Sequence, residues 1–184
     1  MSHQAIVQHI PAMRRYARSL TGDVWAADDL VQDTLERACS KWRLWLAGTD
    51  LRAWLFTVMH NIFISDVRSV QRRSGAHPAV PLEDAAHELQ APPSTADLQM
   101  DLQRCLLQLP PDQRAVLLLV TMEDLGYAEV AKITGVPVGT VMSRLSRARE
   151  RMRELMTQQS SKPALHARAT TDTVAHPPAL RRLK

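Results

Sequence analysis

The chain has 184 residues, 45% of them hydrophobic but only 4% aromatic, and a formal net charge of +4. That length holds one ordinary domain or two small ones, and a composition led by Leu, Ala, Val and Met with six glycines favours helices over a sheet of tight turns. A modest basic excess points to nucleic acid only through where the charges sit.

No stretch approaches the ~18 apolar residues of a membrane span, and Met-Ser-His-Gln-Ala-Ile-Val at the start lacks the basic and apolar runs of a signal peptide. The expectation is a cytoplasmic protein. Cys39 and Cys105, far apart within helical patterns, read as reduced, buried thiols.

Helical periodicity runs from about residue 2 to 71. Ala27, Leu30, Val31, Thr34, Leu35 and Ala38 form one apolar face, with Asp23 placed to accept the unpaired N–H groups at the helix start. A further helix puts Leu51, Trp54, Leu55, Val58 and Ile62 on one stripe, with Thr49 or Asp50 as its cap. Residues 72–95 contain Pro, Gly and Ser without a sustained apolar period, which predicts a flexible linker. A second helical block covers 96–157: Leu98, Leu102, Cys105, Leu106 and Leu109 form a stripe that Pro110-Pro111 ends, and Val116, Leu117 and Val120 continue on the next helix. Residues 158–184 turn polar and basic, as a disordered tail does. The predicted fold is all-α: two small helical domains, 1–71 and 96–157, joined by a flexible linker.

The sharpest local signal is Tyr127 to Leu145. A short helix ends near Thr134, Gly135 supplies the left-handed backbone of a tight turn, and a second helix opens near Pro137. Val130, Val136, Val141 and Leu145 pack the pair as a helix-turn-helix. The second helix keeps Val141, Leu145, Ala148 and Met152 inward and turns Thr140, Ser143, Arg144, Ser146, Arg147 and Arg151 outward. Such arginines neutralise phosphates or pair with guanine edges.

Residues 21–36 carry Asp23, Asp28, Asp29, Asp33 and Glu36 and no Lys or Arg, which in a basic protein suggests docking on a positive protein surface. Asp29 and Asp33 at i,i+4 would be the start of a metal site, but no histidine or other ligand stands within a turn; neither metal nor cofactor is expected. Trp42, Trp45 and Trp54 interleave with Lys41, Arg43 and Arg52 around a loop at 46–50. Trp54 reads as core; Trp42 and Trp45 are either core or platforms for unpaired bases, with the cations on their phosphates. Asn61 suits a base edge, and Arg68, Arg72 and Arg73 suit phosphate.

Together these segments resemble the extracytoplasmic-function sigma factors. Ala26 to Ala38 looks like that family's polymerase-binding helix, Arg52 to Asn61 like the start of its −10 recognition helix, and Leu109 to Arg114 with Val138 to Arg149 like its −35-binding domain. The resemblance spans roughly residues 5–156. It implies a non-enzymatic factor that binds core RNA polymerase, directs promoter recognition and melting, and answers to an anti-sigma factor. By the same resemblance Asp28, Asp29, Gln32 and Asp33 face polymerase. The loop at 46–50 with Trp45 captures a flipped base, and Asn61, Arg68 and Arg72 hold the adjacent −10 DNA. Thr140, Ser143, Arg144, Ser146 and Arg147 contact the −35 element. Met142 departs from the Arg or Lys of many members. The alternatives are a stand-alone helix-turn-helix regulator, which leaves the acidic helix and Trp-rich segment without a role, and a metal-dependent nuclease built on the Asp cluster.

Overall fold

The computed structural model describes residues 4–41, 50–73 and 95–160. Trp42, Trp45, residues 46–49, most of the expected linker and the tail beyond 160 lie outside the described residues. Among those described, the elements are helices throughout: α1 (Gln4–Val7), α2 (Ile10–Thr21), α3 (Val24–Ser40), α4 (Leu51–Arg73), α5 (Thr95–Leu107), α6 (Pro111–Thr121), α7 (Tyr127–Thr134) and α8 (Val138–Ser160).

Local chemistry sets the boundaries. α2 has Pro11 in its first turn, where the missing N–H costs nothing, and ends at Gly22 with φ 78°, whose N–H donates to the Arg18 carbonyl. A Cβ at Gly22 would stand 2.5 Å from a Leu107 methyl, so the end of α5 seats that side chain against the glycine. The Asp23 carboxylate accepts the Ala26 N–H at 2.7 Å to start α3, and Asp50 does the same for Arg52 at 2.8 Å to start α4. α4 runs on through Arg72 and Arg73, and α5 begins at Thr95, so both ends of the expected linker are helical.

α3 buries Ala27, Leu30, Val31, Thr34 and Ala38 as its periodicity requires, with Leu35 half-buried at the edge. Cys39 is exposed, contrary to expectation, because it follows Ala38 off that face; Cys105 is buried. α4 buries Leu51, Leu55 and Ile62, and also Phe56, Met59, His60 and Phe63. It is covered from two sides, by α3 and by α6 and α7. On α5 the expected stripe divides: Cys105, Leu106 and then Leu109 are buried, whereas Leu98 and Leu102 are exposed. The helix packs through its C-terminal half, and Leu102 borders an open groove beside α2 and α8.

The two halves, α1–α4 and α5–α8, share one core. α2 lies on α5 and α6, and α4 on α6 and α7. Tyr16 meets Phe56 edge to face at 5.3 Å. Buried Arg114 donates to the Leu107 carbonyl at 3.1 Å, closing the end of α5, while its guanidinium stands over the Phe63 ring of the opposite half. Fully buried Met13, Tyr16, Leu20, Phe56 and Met59 each contribute about 1.5–3 kcal/mol through lost apolar surface.

His60 sits in this interface, 5% exposed. Burial lowers its pKa to about 4; the nearby Arg144 and Arg68 also lower it, and the Asp112 carboxylate opposes them. The folded state therefore holds the neutral imidazole. Stability from this group is fully present above about pH 6.5 and is lost as pH falls toward about 4, on the order of 3 kcal/mol across the window. Urea unfolding at stepped pH should show the wild type losing stability between pH 6.5 and 4 more steeply than His60→Gln. Parallel profiles would rule out a buried neutral histidine.

Candidate nucleic-acid interface

The helix-turn-helix forms as its sequence dictates. The Glu129 carboxylate accepts the Gly126 N–H at 2.8 Å to start α7, and Gly135 ends it at φ 68°, ψ 27°, with its N–H on the Ala131 carbonyl. The Val136 N–H reaches the same carbonyl at 3.2 Å, and the Pro137 carbonyl accepts the Thr140 and Val141 N–H groups, opening α8. Val130, Ile133, Val141, Leu145 and Ala148 close the inner face.

On the outer face Ser143, Ser146 and Arg147 are exposed and Thr140 half-buried. The Ser143 hydroxyl is turned back onto the Thr140 carbonyl at 3.0 Å. Arg144 behaves differently from its neighbour one turn on: it is half-buried, and its guanidinium donates to the Asp112 carboxylate at 2.8 Å. Met142 is exposed.

The −10 candidates Asn61, Arg68 and Arg72 lie along exposed positions of α4, with the Arg72 Nε–H donating to the Arg68 carbonyl at 3.3 Å. Asn61, Arg68 and Arg72 line one cavity of about 1,090 Å³ that Asp112, Val136 and Arg144 close from the other half. Of the −35 candidates, Arg144 thus shares a cavity with the −10 candidates, whereas Ser143, Ser146 and Arg147 are exposed and do not line it. Trp45 lies outside the described residues, and Trp54 is half-buried against the core.

The acidic helix presents Asp29, Gln32, Asp33 and Glu36 on its exposed side, with Gln32 donating to Glu36 at 3.1 Å. Asp28 is less available, 3.6 Å from Arg14. Among the described residues no three His, Cys, Asp or Glu side chains come together as metal ligands, and no helix is long and apolar enough to cross a membrane.

Arg52, read from sequence as a phosphate partner, is engaged elsewhere. Its guanidinium donates to the Glu123 carboxylate at 2.7 Å and to the Glu123 carbonyl at 2.6 Å, and Arg15 donates to the other carboxylate oxygen at 2.8 Å. The Glu123 side chain is fully buried. Its charge and burial together push the nearby Tyr16 phenol well above its ordinary range, with burial the larger cause. Sequence reasoning missed Glu123: a glutamate between two helices carries no period, and its partners are 108 and 71 residues away.

Comparison with known proteins follows the same division into halves. Residues 6–60 match the family model for the Sigma2 domain of PhyR, and residues 99–152 that for Sigma-70, region 4. The ECF RNA polymerase sigma factor EcfG of Rhodopseudomonas palustris is 40% identical over 157 residues, covering 82% of each chain. The ECF RNA polymerase sigma factor SigE of Mycolicibacterium smegmatis is 35% identical over 169 residues, 89% of this chain and 65% of that one. Among solved structures, the Bartonella quintana sigma factor RpoE, in complex with the anti-sigma factor NepR, superposes with a TM-score of 0.69 at 38% identity, over 84% of this chain and 95% of that chain. Because the likeness to EcfG runs through both halves and not the helix-turn-helix alone, the chain belongs to the extracytoplasmic-function RNA polymerase sigma factors, which bind core polymerase and direct it to promoters.

Proposed function

We propose that this sigma factor divides its work between two exposed faces of opposite charge: the acidic side of α3 docks on core polymerase, and the arginine-bearing side of α8 holds the −35 element. The observation that carries this is the placement of Asp29, Gln32 and Asp33 on a solvent-facing side of α3 while the same helix buries its apolar stripe. A carboxylate cluster kept in water loses little on meeting a basic surface, and the complementarity speeds and orients the encounter. Asn61, Arg68 and Arg72 supply the −10 contacts from α4, with Trp45 as the stacking platform for an unpaired base. Polymerase supplies the chemistry, so this chain is not an enzyme; it works in the cytoplasm, where its template is. The domains divide at 1–71 and 96–157. The complex of the Bartonella quintana relative with NepR supports an anti-sigma partner for this chain too.

Replacing Asp29 and Asp33 with Lys should abolish association with core polymerase while helical content by circular dichroism stays unchanged. Co-elution of that double variant with core at wild-type affinity would exclude the acidic face as the docking surface.

On α8 the two arginines should separate. Arg147 is exposed and unencumbered by Asp112, so Arg147→Ala should lower affinity for a −35 duplex by about 1–3 kcal/mol and relax preference at one promoter position. Arg144 must first leave Asp112, so Arg144→Ala should weaken binding evenly across sequences and reduce the salt slope by about one ion. A salt titration against a panel of −35 variants checks both. Unchanged affinity and slope for both would place α8 away from DNA.

A further inference from the structure

We propose that Glu123 is an electrostatic latch that holds this sigma factor in a closed, promoter-incompetent state. The inference concerns regulation of the sites described above and rests on their assignment to promoter DNA.

Glu123 lies in the turn between α6 and α7, and its carboxylate is removed from water entirely. A buried carboxylate is tolerable only when its charge is met and its oxygens are hydrogen-bonded. Both guanidiniums that do this come from the opposite half: Arg15 from α2 at 2.8 Å and Arg52 from α4 at 2.7 Å, with Arg52 also on the Glu123 carbonyl. Separating the halves breaks all three bonds at once, and holding the halves together aligns them with one geometry.

An ionic closure of this kind is specific without being irreversible. The charges that meet in the closed state are well hydrated once apart, so attraction and desolvation largely offset each other. The Arg15 side chain is 55% exposed, so water reaches one side of the cluster as it opens. Both halves also contribute to one apolar core, so opening exposes apolar surface as well, and the ionic cluster fixes the geometry in which that surface closes.

The closed state cannot serve a promoter. Asn61, Arg68 and Arg144 line a single cavity, whereas one turn of DNA already measures ~34 Å. Two elements separated along a duplex cannot both be met by side chains that converge on one cavity. Opening the latch frees the two faces to move apart.

The test places donor and acceptor dyes on α4 and α8 of the full chain, through Asp66→Cys and Glu150→Cys in a Cys39→Ser background, since Cys39 is exposed and Cys105 buried. Single-molecule energy transfer then reads the distance between halves, without polymerase. Glu123→Gln and, separately, Arg15→Gln should each shift the open-to-closed ratio about tenfold or more, as loss of a charge-assisted hydrogen bond implies. Both should also speed formation of promoter complexes with core polymerase. Unchanged energy transfer in variants of wild-type helical content overturns the latch. Opening without faster promoter complexes overturns the off state. Arg15→Gln alters a largely exposed side chain, so it decides the matter if Glu123→Gln fails to fold. Absence of core binding by the wild type would instead strike the sigma-factor assignments, and the energy-transfer result would still judge the latch.

Discussion

A negative charge shut away from water has to be answered, and at Glu123 the answer comes from two arginines on helices that precede it by 71 and 108 residues. Much of the architecture is arranged around that requirement. α2 and α4 must bring Arg15 and Arg52 to one point, and the turn between α6 and α7 must carry Glu123 to it. Arg52 also stands 5.7 Å from the centre of the Phe56 ring, whose own edge partner is Tyr16. The ionic cluster is thus seated on the aromatic part of the shared core. Arg114 over Phe63 repeats the arrangement in the opposite sense, a cation from α6 on a ring from α4.

Much of the fold was legible in the sequence because it depends on local signals. Asp23 and Asp50 announce helix starts by chemistry that acts over three residues. Gly135 announces the turn of the helix-turn-helix through a backbone angle that other residues adopt with strain. The buried face of α3 is periodic because its two neighbours, α2 and α4, meet it along one stripe. Legibility fails where coverage is two-sided or incomplete. α4 buries Phe56, Met59, His60 and Phe63 outside its expected stripe, since a second set of helices lies against it. Leu98 and Leu102 keep a helical spacing but are exposed, since apolar periodicity states which face is available and not which part of it is occupied.

The candidate site divides in the same way. The outward set on α8 follows from helix geometry, and Ser143, Ser146 and Arg147 are exposed as that geometry requires. The restraint on Arg144 does not follow from it, because Asp112 reaches it from a different helix across 32 residues. Composition marked Arg52 as a nucleic-acid contact, and tertiary structure assigns it to a carboxylate. Cations near aromatic residues serve both purposes, and only the third partner tells them apart.

Gly22 adds a control of a different kind. The space its side chain would fill is taken by the Leu107 methyls, so the end of α5 seats its side chain on the bare backbone of the α2–α3 corner. The corner between the halves therefore has a steric setting beside the ionic one: the ionic cluster responds to salt and charge, the glycine to volume and to the left-handed backbone it adopts at φ 78°. A larger residue at this corner would have to move the end of Leu107 and strain the end of α2, while leaving every charged residue and every candidate DNA contact as it stands.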